Sequence, residues 1–262
     1  MHNFTFESYG VKVSVECSNK DLSVKTEAII RKSLLGRLIQ INRCDADHIF
    51  SIIQQSNNYQ LSLNGKDLGS GNSELNLFNF FDTMIRLTIA EYAVGLVFMH
   101  AGVVVWKGRA LVFPADSYCG KTTLVAEFIK RGAVYFSDEY AIFDENGLLH
   151  PFPRLLSLRD NDQSKGRKDV SVELLGGTIG VEPIPVAFVI LTCYRPNARW
   201  NPIILRPGNG VMQMIPQAIS VRFNSKFTLD VLKKVSNHAI IVKSLRSGVK
   251  HSVDKMIDLI DK

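Results

Sequence analysis

Apolar and polar positions alternate in VKVSV (11–15) and in YQLSLNGKDL (59–68), a period of two that predicts half-buried strands, with Asn64-Gly65 supplying a hairpin turn. The first ~70 residues therefore read as short strands. IIRKSLLGRLI (29–39) fits either a strand or a short helix, and Gly69-Ser70-Gly71-Asn72 ends this region. Over 73–99 the period lengthens. Leu77, Phe81, Met84, Ile85, Thr88, Ile89 and Tyr92 recur near helical spacing behind Ser73 as N-cap, predicting a helix that links the N-terminal part to the next unit.

From His100 the texture changes again. HAGVVVW and RALVFPA are apolar strands joined at Lys107-Gly108, and residues 121–131 form a helix ending at Gly132. AVYFSDEYAIF and LLHPF supply further strand around the turn 144–147, and VAFVILTCY (186–194) reads as a strand buried on both faces. Helix candidates at 208–219, 227–237 and 251–261 accompany the strand AIIVKSL, while the charged, glycine-interrupted run 159–171 reads as a mobile loop. Strands alternating with helices predict an α/β fold, a mixed sheet flanked by helices over 96–262, behind a smaller β-rich N-terminal domain over 1–95.

Composition narrows this picture modestly. No run approaches the roughly 18 apolar residues of a membrane span, and MHNFTFESYGVKV lacks the basic-then-apolar order of a signal peptide. Cys17, Cys44, Cys119 and Cys193 lie far apart without a C-x-x-C pair, which argues against a disulfide framework or zinc site and for a cytoplasmic protein. The net charge of +6 is spread along the chain, as on a solvated surface; a nucleic-acid binder would need a denser basic stripe with exposed aromatics. No nucleic-acid or membrane partner is expected.

The chemistry concentrates at ADSYCGKTT (115–123). A phosphate loop presents backbone N–H groups at a helix N-terminus, a lysine for the β/γ-phosphates and a hydroxyl for Mg²⁺. Gly120, Lys121 and Thr122 keep the demanding end of G-x-x-x-x-G-K-[ST], between a strand and a helix, although Ala115 replaces the first glycine and Tyr118 and Cys119 crowd the loop. Ala115, Asp116, Ser117, Tyr118, Cys119, Gly120, Lys121, Thr122 and Thr123 are the expected ATP-binding residues. Asp138-Glu139 follows an apolar strand after one intervening helix, so a parallel strand would deliver two carboxylates beside the phosphates, where Mg²⁺ takes oxygen ligands. A helix N-terminus would lower the Cys119 thiol pKa, though packing without a redox role is the commoner fate of such a cysteine. Arg154, Arg159 and Arg167 could meet a phosphate or an acidic peptide but read more simply as surface residues, and Trp106 and Trp200 as packing or loop anchors.

With His100-Ala101-Gly102 opening the preceding strand, the loop and the acidic pair together resemble the HPr kinase/phosphorylase family. In that family His-Gly precedes a loop of the type G-D-S-G-x-G-K-S, and a basic-Gly helix end leads into a strand closing in Asp-Asp. The match runs without gaps over residues 100–144 and includes Asp116-Ser117 and IKRGAVYFSDE. The resemblance implies a P-loop kinase core of HPr-kinase type using ATP and Mg²⁺. Lys121 would bind the β/γ-phosphates and Thr122 the metal, Asp138, oriented by His100, would be the base, and Glu139 would support the metal. The family's later Glu-Arg-Gly signature, tied to the reverse reaction, has no match; the stretch 159–177 occupies its place, with Glu173 a candidate metal carboxylate. A compact β-rich N-terminus before this core is similar to the tailoring kinases of ribosomally made peptides such as lasso precursors. The substrate implied is a Ser hydroxyl of a peptide or small protein, with a small-molecule kinase or a catalytically weak nucleotide-binding regulatory module as the alternatives. A homo-oligomer is expected by analogy alone.

Overall fold

The computed structural model describes residues 1–42, 45–116, 119–159 and 167–262, without the side chains of 159, 167 and 168. The chain divides into two compact units, Met1–Val94 and Gly95–Lys262.

The first unit contains β1 (His2–Ser8), β2 (Val11–Cys17), α1 (Lys20–Ser33), β3 (Ile39–Gln40), β4 (His48–Gln55), β5 (Asn58–Leu63), β6 (Lys66–Gly71) and α2 (Glu74–Tyr92). The strands form one sheet in the order β3-β1-β2-β4-β5-β6. Tyr9-Gly10 and Asn64-Gly65, each with two positive φ angles, close the β1–β2 and β5–β6 hairpins. β4 lies parallel to β2, so the connection between them must cross over, and α1 makes that crossing. The short-strand reading of this region is corrected here, because residues 20–33 are helical. Asn19 caps α1 by accepting the Leu22 N–H, but its buried stripe of Leu22, Thr26, Ile30 and Ser33 is half polar and hides the periodicity. α2 follows the predicted stripe to Tyr92 and then stops; residues 96–99 are strand. Phe50 of β4 meets Phe81 of α2 edge-on at 5.5 Å between centroids, worth about 0.5–1.5 kcal/mol beyond the area buried.

The second unit contains β7 (Leu96–Trp106), β8 (Arg109–Pro114), α3 (Lys121–Lys130), β9 (Val134–Ser137), β10 (Tyr140–Asp144), β11 (Leu148–His150), β12 (Leu156–Arg159), β13 (Arg167–Val170), β14 (Ile184–Tyr194), β15 (Ile203–Leu205), α4 (Pro207–Met214), α5 (Ser225–His238), β16 (Ile240–Arg246) and α6 (Val249–Ile260). It is a mixed α/β unit. β7 pairs antiparallel with β8, β9 and β10, while β14 pairs parallel with β8 and β16. Because β11 pairs with both β10 and β14, the strands β7, β8, β14, β11 and β10 close into a ring. β12 and β13 pair separately, so the flanks of the expected 159–171 loop are strands, and residues 160–166 lie outside the described residues.

Two apolar layers sandwich the sheet. Met99, Ala101, Val189, Met214 and Leu232 pack under α4 and α5; Val104, Phe113, Phe128, Tyr135, Val242 and Met256 pack under α3 and α6. β7 contributes to both layers, which explains its unbroken apolar run. Each fully buried Phe in these layers contributes about 1.5–3 kcal/mol of transfer free energy. Among the described residues no helix is long and apolar enough to cross a membrane.

Candidate functional site

β8, β14 and β16 are parallel and end on one edge, at Pro114, Tyr194 and Arg246. The carboxyl edge of parallel strands is where α/β sheets place ligands. From Pro114 the chain passes Ala115 and Asp116 and re-enters the described residues at Cys119; Ser117 and Tyr118 lie outside them. Gly120 then turns the chain into α3 with φ +79°, a left-handed conformation that favours glycine. A Cβ on Gly120 would also stand 2.5 Å from Arg246 Nη2. With glycine at the cap, no cap side chain bonds the first-turn N–H groups of α3, and no acidic residue lies in that turn. N–H groups without a cap side chain and the helix dipole both favour an anion there.

β7 brings the other groups to this helix end. Its Gly102 lets α3 approach closely, since a Cβ there would meet Val125 Cγ2 at 2.7 Å and Lys121 Cβ at 3.8 Å. His100, two residues earlier, shares the Gly102 face. It is the fifth residue of β7, opposite Tyr140 of β10, and does not open the strand as expected. β9 pairs with β7 across from β8, with Ser137 opposite Val103 and Pro114 opposite Ala101. β9 therefore runs parallel to β8 with β7 between them, and both strands end beside His100–Gly102. The Ser137 hydroxyl accepts the N–H groups of Glu139 and Tyr140 at 3.2 and 3.0 Å, which folds the chain into a turn with Asp138 inside it.

The Asp138 carboxyl lies beside the Thr122 hydroxyl, and burial pushes it up to about 7. The Thr122 hydroxyl and the Lys121 charge oppose that shift without cancelling it. The Lys121 ammonium is buried and is lowered from its ordinary value by desolvation, against Asp138, Cys119 and Asp116. It donates to the carbonyl oxygens of Ala115 at 2.6 Å and Asp116 at 3.0 Å. Thr123, on the first turn, is exposed. Glu139 is ion-paired with Arg154 at 2.9 Å, and the Arg154 carbonyl accepts the Tyr135 hydroxyl at 2.8 Å. Arg154 is thus half-buried and committed to Glu139, in place of the surface role its sequence context predicts. Glu173 is exposed, and its segment packs at the far end of α3, with Gly177 against Ile129, so it does not join Thr122. Among the described residues no group of three or more His, Cys, Asp or Glu is arranged to hold a metal ion.

Sequence reasoning missed several residues at this edge. The Arg246 guanidinium, 3% exposed, donates through Nη2 to Gly120 O at 2.8 Å and Cys119 O at 3.1 Å. Gln217 Nε2 holds Asp116 Oδ1 at 2.9 Å, and the Sγ of Cys193 lies 2.8 Å from that of Cys119. Asp138 Oδ1, Thr192 Oγ1 and Arg246 Nε are buried without a hydrogen-bond partner among the described residues. Buried polar atoms are rarely left so. No local motif announces Arg246, Thr192 or Cys193, which arrive through strand pairing far along the chain. The Cys119 thiol corrects a further expectation. Burial, with the neighbouring Cys193 thiol, raises it to about 11, and the helix N-terminus does not prevail. A cavity of about 240 Å³ lies in the first unit beside Tyr59, Gly69 and Phe80 and contains none of the residues singled out from the sequence.

No protein-family model and no curated protein matches the chain. Among solved structures it is similar to the Hpr(Ser) kinase/phosphatase from Coxiella burnetii, at 16% identity, with 62% of this chain and 92% of that chain covered and a TM-score of 0.32. Similarity that low carries no functional argument, and the chemistry of the site rests on the side chains themselves.

Proposed function

We propose that residues 115–123 bind the phosphates of ATP and that the second unit transfers the γ-phosphoryl group to a hydroxyl. The observation that carries this reading is Asp138, a buried carboxyl raised to about 7 that lies beside the Thr122 hydroxyl and the buried Lys121 ammonium. A carboxylate with that pKa is matched to accepting a proton from an alcohol near neutral pH. The uncapped N-terminus of α3, Lys121 and Gly120 fit a triphosphate, and the Thr122 hydroxyl fits one side of a divalent cation. Mg²⁺, when bound, neutralises charge developing on the transferred phosphoryl group. Lys121 exchanges the Ala115 and Asp116 carbonyls for phosphate oxygens. Asp138 takes the acceptor's proton, His100 supports it from β7, and Glu139 backs the metal once Arg154 releases it.

A Ser of a peptide or small protein is the proposed acceptor, supported by the resemblance of His100, the loop and Asp138-Glu139 to the HPr kinase family; the lasso-precursor branch would supply such a peptide. Incubation with ATP, Mg²⁺ and a Ser-containing peptide library, followed by mass spectrometry, tests this. Phosphate appearing only on a small-molecule acceptor would refute the peptide assignment. One observation favours the second reading, a nucleotide-binding module without catalysis: Lys121 Nζ and Arg246 Nη2 both donate to loop carbonyls. In that case Asp138→Asn leaves ADP formation at the background level of the unaltered chain.

A further inference from the structure

We infer that Cys119 and Cys193 form a reversible disulfide that fixes the phosphate loop in its self-occupied conformation, making oxidation a switch on nucleotide binding. The inference rests on the nucleotide reading of the loop. The two residues stand 74 positions apart in sequence, on the loop and on β14, yet their sulfurs lie 2.8 Å apart, closer than two non-bonded sulfurs rest. A disulfide needs about 2.03–2.05 Å, so bond formation requires a closure of less than about 1 Å. Both are free thiols, and neither is fully buried, so a small oxidant can reach the pair.

The position of the pair gives the bond its consequence. In this conformation Lys121 donates to the Ala115 and Asp116 carbonyls, and Arg246 to those of Cys119 and Gly120. The space between Ala115, Cys119, Lys121, Thr192 and Arg246 leaves no room for a water molecule. For phosphate to enter, Lys121 and Arg246 must give up these contacts. Cys119 precedes the hinge glycine, Gly120, and Cys193 sits on β14, where it pairs in register with Leu245 beside Arg246. A covalent tether from Cys119 to that rigid strand opposes the rearrangement.

The oxidant is a low-molecular-weight disulfide such as oxidised glutathione. One cysteine loses its proton and attacks the oxidant, forming a mixed disulfide and releasing one small thiolate. The second cysteine loses its proton and displaces the other small thiol. Two protein S–H groups are oxidised to one S–S bond, one small disulfide is reduced to two thiols, and the two protons end on those thiols. Proximity sets the equilibrium, while the Cys119 thiol, held neutral by burial at pH 7, sets a slow rate. Oxidation over minutes to hours is expected.

The full chain is treated with oxidised glutathione, quenched by alkylation and mapped by non-reducing peptide mass spectrometry; binding of a fluorescent ATP analogue is titrated before and after. A 119–193 cross-link is expected, with affinity falling at least about tenfold and returning on addition of dithiothreitol. Cys193→Ser should keep the reduced affinity and be insensitive to the oxidant. Thiols that stay free under the oxidant overturn the proposal at its first step. A cross-link formed with affinity unchanged overturns the switch. Failure of the reduced protein to bind the analogue would instead refute the nucleotide reading, and the switch with it, while the peptide map still reports the bond on its own.

Discussion

Replacing Asp138 with Asn removes a titrating group and leaves its shape nearly intact. Its carboxyl is displaced from 3.8 to about 7, chiefly by burial. A carboxyl whose folded pKa exceeds its unfolded value leaves stability untouched below the unfolded pKa and removes it as pH rises through the folded one. The raised pKa therefore costs the fold about 4 kcal/mol at pH 8, where the carboxyl is ionised, but only about 1.5 kcal/mol at pH 5, where it takes up a proton on folding. Asparagine carries neither cost. Any change in contact between the neutral side chain and Thr122 applies equally at both pH values and cancels in the comparison. The variant should thus gain about 2.5 kcal/mol more at pH 8 than at pH 5, or roughly 5–10 °C in Tm for a chain of this size. Thermal melts of both proteins at pH 5, 6.5 and 8 measure it. On the proposed role of Asp138 as base, ATP turnover should fall by about 10²–10⁴-fold at the same time. Equal Tm shifts at all three pH values would show that Asp138 titrates like an ordinary surface carboxylate, and the case for it as a base would collapse.

Thr122→Val withdraws the hydroxyl that lowers the Asp138 pKa, so the acidic limb of the turnover–pH profile should move to higher pH; a profile that moves down or stays fixed contradicts the pairing. Lys121→Ala should raise the Kd for an ATP analogue by about 30–100-fold, the worth of a charge-assisted contact to phosphate, as read by calorimetry or fluorescence titration. Gly102→Ala forces a methyl group to 2.7 Å from Val125 Cγ2 and should cost about 1–3 kcal/mol in denaturant unfolding. Adding Val125→Ala should recover part of that loss, and the absence of any coupling would mean that α3 is not seated on β7 there.

How far the sequence disclosed all this depended on whether a signal was local. The Lys107-Gly108 and Asn64-Gly65 turns and the glycine before α3 were legible because a positive φ favours glycine at Gly108, Gly65 and Gly120. Asp138 was legible from its distance to Lys121, one helix and one strand further along. The helix α1 was not, because Thr26 and Ser33 sit on its buried face and break the apolar stripe. Nor was the end of α2, where residues 96–99 are apolar enough for helix or strand and only the sheet decides. Arg246 and Cys193 were invisible for a different reason. They meet the loop through the β8–β14–β16 pairing, which joins segments more than 50 residues apart and leaves no mark on either neighbourhood. At Cys119 two local rules competed, a helix N-terminus against burial beside another thiol, and burial prevailed.

The long-range pairing of β8 with β14 and of β14 with β16 also bears on when the site comes into being. The loop and α3 are neighbours in sequence and can form early. The Arg246 guanidinium and the β14 end that brace the loop arrive only after two large chain segments have been closed, and contacts of such high sequence separation are slow to form. Nucleotide affinity should therefore be the last property a refolding chain recovers, appearing with the slowest phase and after most of the helical signal has returned.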